Sequence, residues 1–278
     1  LIALKEEGCR EASMSTKSKV WFITGTSRGF GRIWAEAALS RGDRVAATAR
    51  NIETLTPLVE QYGDQVLPLA LDVTDRASAK SAIDAAVAHF GRLDVVINNA
   101  GYGLFGMVEE VSEPEARAQF ETNFFGALWV TQAALPHLRA QGSGHIIQVS
   151  SIGGVTAFPF FGIYNASKWA LEGMSQALAA EVKDFGIKVT LVEPMPYATD
   201  WSGPSAKQAE TMSEYDDVRA GILQMFGKMP PGNPQDSAVS LLKLVDAEQP
   251  PLRVFFGDGA IDAISREYST RLAEWKTQ

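Results

Sequence analysis

The chain has 278 residues, 46% of them apolar, enough to bury one substantial core. Its 25 basic and 33 acidic residues leave a net charge of −8, which argues against a nucleic-acid-binding surface while allowing a local basic pocket for a phosphate. The single cysteine, Cys9, excludes an internal disulfide or thiolate metal site, and no apolar run approaches the ~20 residues of a membrane span.

The start, LIALKEEGCREAS, places acids where a signal peptide has an unbroken apolar stretch, so the expected location is cytoplasmic. Residues 1–13 precede a natural start at Met14 and read as a mobile extension, with residues 14–278 as one domain. From Lys19 onward, short β-rich apolar runs alternate with helical periodicity, the pattern of repeated βαβ units. Strands are expected at Val20–Thr24, Arg44–Ala49, Val66–Leu71, Leu93–Asn98, His145–Ser150 and Lys188–Glu193, with a seventh at Leu252–Phe256. Because they are apolar along their whole length, the expected fold is a Rossmann-type, doubly wound α/β sheet, mostly parallel and seven-stranded, with helices on both faces. The pattern loosens over about 195–234, just after a strand's carboxyl end, where a substrate lid would sit.

The first strand runs into TGTSRGFG, with glycines at Gly25, Gly29 and Gly31 and a helical pattern after them. Glycine permits a tight turn and close backbone approach, and the following helix start offers N–H groups to a pyrophosphate. Gly25, Ser27, Arg28, Gly29, Phe30 and Gly31 are therefore expected cofactor contacts. The spacing is GxxxGxG, and here the chain resembles the classical short-chain dehydrogenase/reductase family, in particular its carbonyl reductases. The resemblance implies a nicotinamide dinucleotide cofactor.

A carboxylate about 20 residues beyond such glycines would bind the adenosine ribose and repel a 2′-phosphate. This chain has Ala49-Arg50 there. Arg50 and Arg28 offer charged forks for that phosphate, so NADP(H) is expected over NAD(H); the alternative is that Arg50 decorates a helix start beside Glu53. By resemblance, Asp72-Val73 is the adenine-contacting pair, and Asn98-Asn99-Ala100-Gly101 matches the family's NNAG signature, adding Asn99, Ala100 and Gly101 to the cofactor contacts.

Tyr164-Asn165-Ala166-Ser167-Lys168 places Tyr164 and Lys168 on one helix face. A tyrosine is a poor acid–base catalyst near neutrality, but a neighbouring ammonium and a positive nicotinamide ring favour its anion. Tyr164 is the expected acid/base. The resemblance adds that Lys168 also holds the nicotinamide ribose, that Ser151 bonds the substrate oxygen, and that Asn123 in ETNFFG holds a water in a relay to Lys168. Family spacing selects Ser151 over Ser150, which would point to the opposite side if strand geometry persisted. Pro194, Tyr197 and Thr199 are expected at the nicotinamide end. The family usually has Pro-Gly before that threonine, whereas this chain has Pro194-Met195-Pro196, expected to reshape the pocket there.

His89, His137 and His145 are scattered, and no metal is expected. Tyr102, Leu104, Phe158, Phe160, Phe161, Tyr197 and Trp201 suggest an aromatic or alicyclic ketone, or its alcohol, as the small-molecule partner; the alternative is plain core. Resemblance suggests a homodimer or homotetramer, with Trp129, Leu135 and Trp169 at the interface or in the core. Two other functions compete with carbonyl reduction: NADP sensing without turnover, and a dehydratase or epimerase on the same sheet.

Overall fold

The computed structural model describes residues 18–203, 205–227 and 230–277. The expected extension, residues 1–13, lies outside them. Nine strands occur among the described residues: β1 Val20–Ile23, β2 Arg44–Ala49, β3 Val66–Ala70, β4 Val95–Asn98, β5 Leu104–Phe105, β6 Gly144–Val149, β7 Ile187–Pro194, β8 Lys207–Gln208 and β9 Arg253–Phe256. Seven of them form one sheet in the order β3-β2-β1-β4-β6-β7-β9. Every neighbouring pair is parallel. The expected Rossmann-type sheet is therefore present.

The reason lies in two-sided burial. In β1, Trp21 and Ile23 face a core with Trp34, Leu39 and Leu241, while Val20 and Phe22 face another with Ile83, Val130 and Leu138. Alternate side chains leave a strand on opposite faces, so a strand with both faces covered must be apolar throughout. Helices α1 (Gly29–Ser40) and α8 (Asp236–Asp246) cover the first face; α3 (Arg76–Phe90), α5 (Gly126–Gln141) and α6 (Gly162–Val182) cover the second. The strand order reverses between β1 and β4, opening a crevice at their carboxyl ends. Asn99 secures it, donating from its backbone to Thr24 Oγ1 at 2.9 Å and from Nδ2 to the Thr24 carbonyl at 2.9 Å.

Two features depart from the sequence reading. A parallel two-stranded ribbon joins β5 to β8, pairing Leu104 with Lys207 and Phe105 with Gln208. Two-residue strands carry no periodicity to read. The helical run around Asn123 also carries an irregularity that periodicity does not announce: α4 (Glu113–Phe120) passes through a π-helical turn, Glu121–Phe125, into α5.

Candidate active site

The glycine turn has the shape an anionic dinucleotide needs. Gly25 and Gly29 adopt φ of +72° and +57°, a region that disfavours other L-residues. A Cβ at Gly31 would fall 2.3 Å from the Gly25 carbonyl oxygen and 2.6 Å from Asn99 Nδ2. Helix α1 starts at Gly29 with no side-chain cap and no acid in its first turn, so its first N–H groups remain for an external anion. Ser27, Arg28 and Arg50 are exposed at this edge, and Phe30 stacks on Trp34 at 4.9 Å between ring centres. Asp72 follows β3 and accepts from the Thr74 N–H and hydroxyl at 3.0 and 2.8 Å; Val73 is buried against Gly126. This cradle fits a dinucleotide pyrophosphate.

Across the crevice, Ser151 follows β6 and Tyr164 and Lys168 lie one turn apart on α6, both buried. The Ser151 hydroxyl and the Tyr164 ring lie side by side over Gly153, where a Cβ would be 3.5 and 3.4 Å from them, and the hydroxyl accepts from the Gly153 N–H at 3.0 Å. The Ser150 hydroxyl is buried without a partner and lies over Gly154, where a Cβ would sit 2.4 Å from it. Lys168 donates to the Val149 carbonyl at 2.8 Å, with Nζ 5.9 Å from the Tyr164 ring centre. Asn123 clasps the Tyr102 backbone, accepting its N–H at 3.1 Å and donating to its carbonyl at 3.0 Å. Its amide is thus turned to Tyr102 and, at 3.3 Å, to Ser167, not to Lys168. Gly101 leaves the space between them: a Cβ there would be 3.1 Å from Asn123 Oδ1 and 3.7 Å from Lys168 Nζ.

Burial is the largest electrostatic influence on this pair. Burial pushes the Tyr164 phenol up to about 12, with the Ser151 hydroxyl opposing it, and pushes Lys168 down to about 8, with Glu172 opposing it. The Lys168 ammonium lies 5.9 Å from the Tyr164 ring centre. Its charge is directed at the Val149 carbonyl, and desolvation of both groups prevails.

The aromatic residues divide into two sets. The Trp201 ring meets Tyr164 edge-on at 5.0 Å, lies parallel to Phe161 at 6.2 Å and covers Gly103, where a Cβ would be 2.6 Å from the indole. Phe105, Phe158, Phe160 and Phe226 complete this wall. Phe160 holds a left-handed φ of +73°, and its carbonyl accepts from the Gly106 N–H at 3.0 Å. An apolar cavity of about 520 Å³ adjoins the wall, lined by Met107, Val108, Phe158, Phe160 and Tyr215 among others. Leu104, in contrast, is core, and Tyr197 meets Phe30 edge-on at 5.1 Å on the glycine-turn side. Phe105, Met107 and Phe226 were missed in the sequence because only the β5–β8 ribbon and α7 (Asp216–Phe226) bring them here.

Buried Glu110 anchors the segment above the site, accepting from the Met107 and Met212 N–H groups at 2.8 Å each and pairing with Arg219 of α7. Burial acts to raise its pKa, but these donors hold the carboxyl below the usual range. Met195 is not at positive φ; its N–H bonds the Phe256 carbonyl at 2.8 Å and its side chain meets Gly257, which supplies the left-handed φ of +93° instead. Pro194 ends β7, and Thr199 accepts from the Trp201 N–H at 3.4 Å.

Outside the crevice, Trp129 stacks on Phe125 at 5.7 Å, Leu135 packs on the core, and Trp169 is on the surface under Arg271 of α9 (Ala260–Lys276). His137 meets Asp84, His145 meets Thr190 and His89 lies against Phe90. Among the described residues no group of three His, Cys, Asp or Glu is placed to hold a metal, and no helix is long and apolar enough to cross a membrane.

A parallel sheet with a glycine cradle and a Ser-Tyr-Lys cluster at its switch point defines a nicotinamide-dependent oxidoreductase fold and site. The chain belongs to the short-chain dehydrogenase family, whose model matches residues 19–210. It is 44% identical over 262 residues to an oxidoreductase of Botryotinia fuckeliana, covering 92% of this chain and 93% of that one. It is 37% identical over 243 residues to a 3-ketodihydrosphingosine reductase of Bacteroides thetaiotaomicron, covering 86% and 88%. A crystal structure of a short-chain dehydrogenase from Streptomyces avermitilis superposes with a TM-score of 0.86 at 38% identity, covering 95% of this chain and 96% of that one.

Proposed function

We propose that the protein reduces the carbonyl of a largely apolar ketone or aldehyde with NADPH, and catalyses the reverse oxidation. The observation that carries this reading is the juxtaposition of Ser151 and Tyr164 over Gly153, beside the aromatic wall of Trp201 and Phe161. When bound, the cofactor supplies the hydride. Ser151 donates a hydrogen bond to the carbonyl oxygen, orienting it toward Tyr164. Tyr164 then gives its phenolic proton to that oxygen, and burial, which keeps the phenol protonated, suits it to act as the acid in this direction. Lys168 binds the ribose and returns the proton to Tyr164, while Asn123 holds the Tyr102 loop in place.

The glycine turn would hold the pyrophosphate through the N–H groups of Gly29, Phe30 and Gly31. Arg28 and Arg50 would hold the 2′-phosphate, which favours NADPH. Val73, Ala100, Tyr197 and Thr199 would line the adenine and nicotinamide ends. The name of the Bacteroides relative, a keto-group reductase, agrees with reduction.

The test is oxidation of NADPH and NADH by the purified protein against aromatic, alicyclic and long-chain ketones, with Tyr164→Phe as control. Carbonyl-dependent turnover that prefers NADPH and falls about 10²-fold or more in the variant is expected, the size of a lost general acid. Tight NADPH binding without turnover points to sensing, and product formation without net cofactor oxidation points to a dehydratase or epimerase.

A further inference from the structure

Behind Lys168 lies a charged cluster that the reaction as described does not use. Tyr164, Lys168 and Glu172 succeed one another at four-residue steps along α6, so they share a face. Gly154 lets the second and third stems come together: a Cβ there would lie 3.2 Å from Glu172 Cγ and 3.3 Å from Lys168 Cβ. Glu172 is buried, and Glu193, on β7, is fully so. Arg253 on β9 donates from Nε to Glu172 Oε2 at 2.9 Å, and the same nitrogen is 3.5 Å from Glu193 Oε1. Its other arm is spent on Gln176 at 2.9 Å.

The cluster is short of protons. Glu172 Oε1 and both Glu193 oxygens are buried without a hydrogen bond, although Arg253 Nε lies between the two carboxyl groups and holds them side by side. Two buried carboxylates so placed cannot both stay ionised, and a proton held between them satisfies atoms that otherwise lack a partner. The groups facing the pair are Lys168 from α6, Arg253 from β9 and, without charge, Gly154 from the turn after β6.

We propose that Glu172 and Glu193 share one proton, and that Glu172 is thereby a positioning residue whose partial charge keeps Lys168 an ammonium inside the site. Glu193 and Arg253 set how much of that charge Lys168 feels. Burial and then Glu172 hold the Glu193 carboxyl well above the usual carboxylate range, as a shared proton requires. Glu172 likewise opposes the burial that takes the proton from Lys168. The consequence for catalysis rests on the proposed function; the shared proton and the Lys168 titration do not.

The two glutamates therefore have opposite effects. In Glu172→Gln, Lys168 loses its counter-charge and should titrate lower, by about half a pH unit or more. In Glu193→Gln, the new amide donates to Glu172 and leaves its charge facing Lys168, so Lys168 should titrate no lower than in the parent. The protein without cofactor, carrying lysine labelled at Cε and Nζ, reports this by nuclear magnetic resonance, with Lys168→Arg assigning the signal. Infrared spectra near pH 7 should show a buried protonated-carboxyl band that Glu193→Gln removes. Glu172→Asp, which keeps the charge, should restore most of the Lys168 shift and serves where the glutamine variant folds poorly. Absence of the carboxyl band in the parent, or an equal downward shift in both glutamine variants, would overturn the proposal. These readouts stand whether or not any ketone is turned over.

Discussion

The Lys168 ammonium donates to the carbonyl of Val149 at 2.8 Å and not to the Tyr164 phenol one helical turn away. The lysine is thereby held at the end of β6, beside Gly101 and the Asn123 side chain, with its charge partly spent on the sheet. Burial brings it down to about 8, so it changes charge within the range where such enzymes are assayed.

A pH profile follows. The kcat/KM for NADPH reports groups of the free protein. It should be level below about pH 8 and fall above it as Lys168 loses its proton, because a neutral amine no longer returns a proton to Tyr164. Lys168→Arg, which stays charged, should remove that limb at lower overall activity. Initial rates between pH 6 and 10 decide it, and an unchanged limb in the variant assigns the titration elsewhere.

Arg50 and Arg28 are exposed at the edge of the glycine turn, and the residue that follows β2 is Arg50 and not a carboxylate. Replacing Arg50 with Ala should reduce the preference for NADPH over NADH by roughly 10- to 100-fold, the worth of hydrogen bonds to a charged group. Arg28→Ala should act in the same direction. Dissociation constants for both cofactors, measured by fluorescence titration, test this without any substrate.

Trp201 meets Tyr164 edge-on and covers Gly103. In Trp201→Ala the aromatic wall is opened beside the phenol. The kcat/KM ratio of bulky to small ketones should rise about tenfold or more, since pocket contacts of this size are worth about 1–3 kcal/mol. An unchanged ratio would place the substrate on another wall.

His145 is buried on β6 and its Nε2 lies 3.0 Å from Thr190 Oγ1, whose hydroxyl donates to the Pro251 carbonyl at 2.8 Å. That chain requires a proton on Nε2, an assignment made from the network. Burial, then Lys188 and Lys19, lower its pKa from 6.5 to about 3. The unfolded chain takes up a proton below about pH 6.5 that the folded one refuses, so stability is full above that value and falls as the pH drops toward 3. This site should cost about 2 kcal/mol between pH 7 and pH 5, at about 1.4 kcal/mol per pH unit once below 6.5. Urea unfolding at the two pH values should show that His145→Gln loses less stability on acidification than the parent.

Much was legible from local pattern. Continuous apolar runs marked all seven strands of the main sheet because both faces are covered, and four-residue spacing put Tyr164 and Lys168 on one helix face. The glycine turn was readable for the same reason: positive φ at Gly25 and Gly29 is a property of a few consecutive residues. What only the tertiary structure decided depends on groups far apart in the chain. Burial is the largest influence on Tyr164, and burial is a sum over many segments. Trp201 reaches Tyr164 while Tyr197 reaches Phe30, although both follow the same strand. Met195 is accommodated by Gly257, on the neighbouring side of the sheet edge, and Glu172 meets Glu193 and Arg253 from three separate elements. Periodicity reports which face a residue occupies; which partner waits on that face is set by how the faces are stacked.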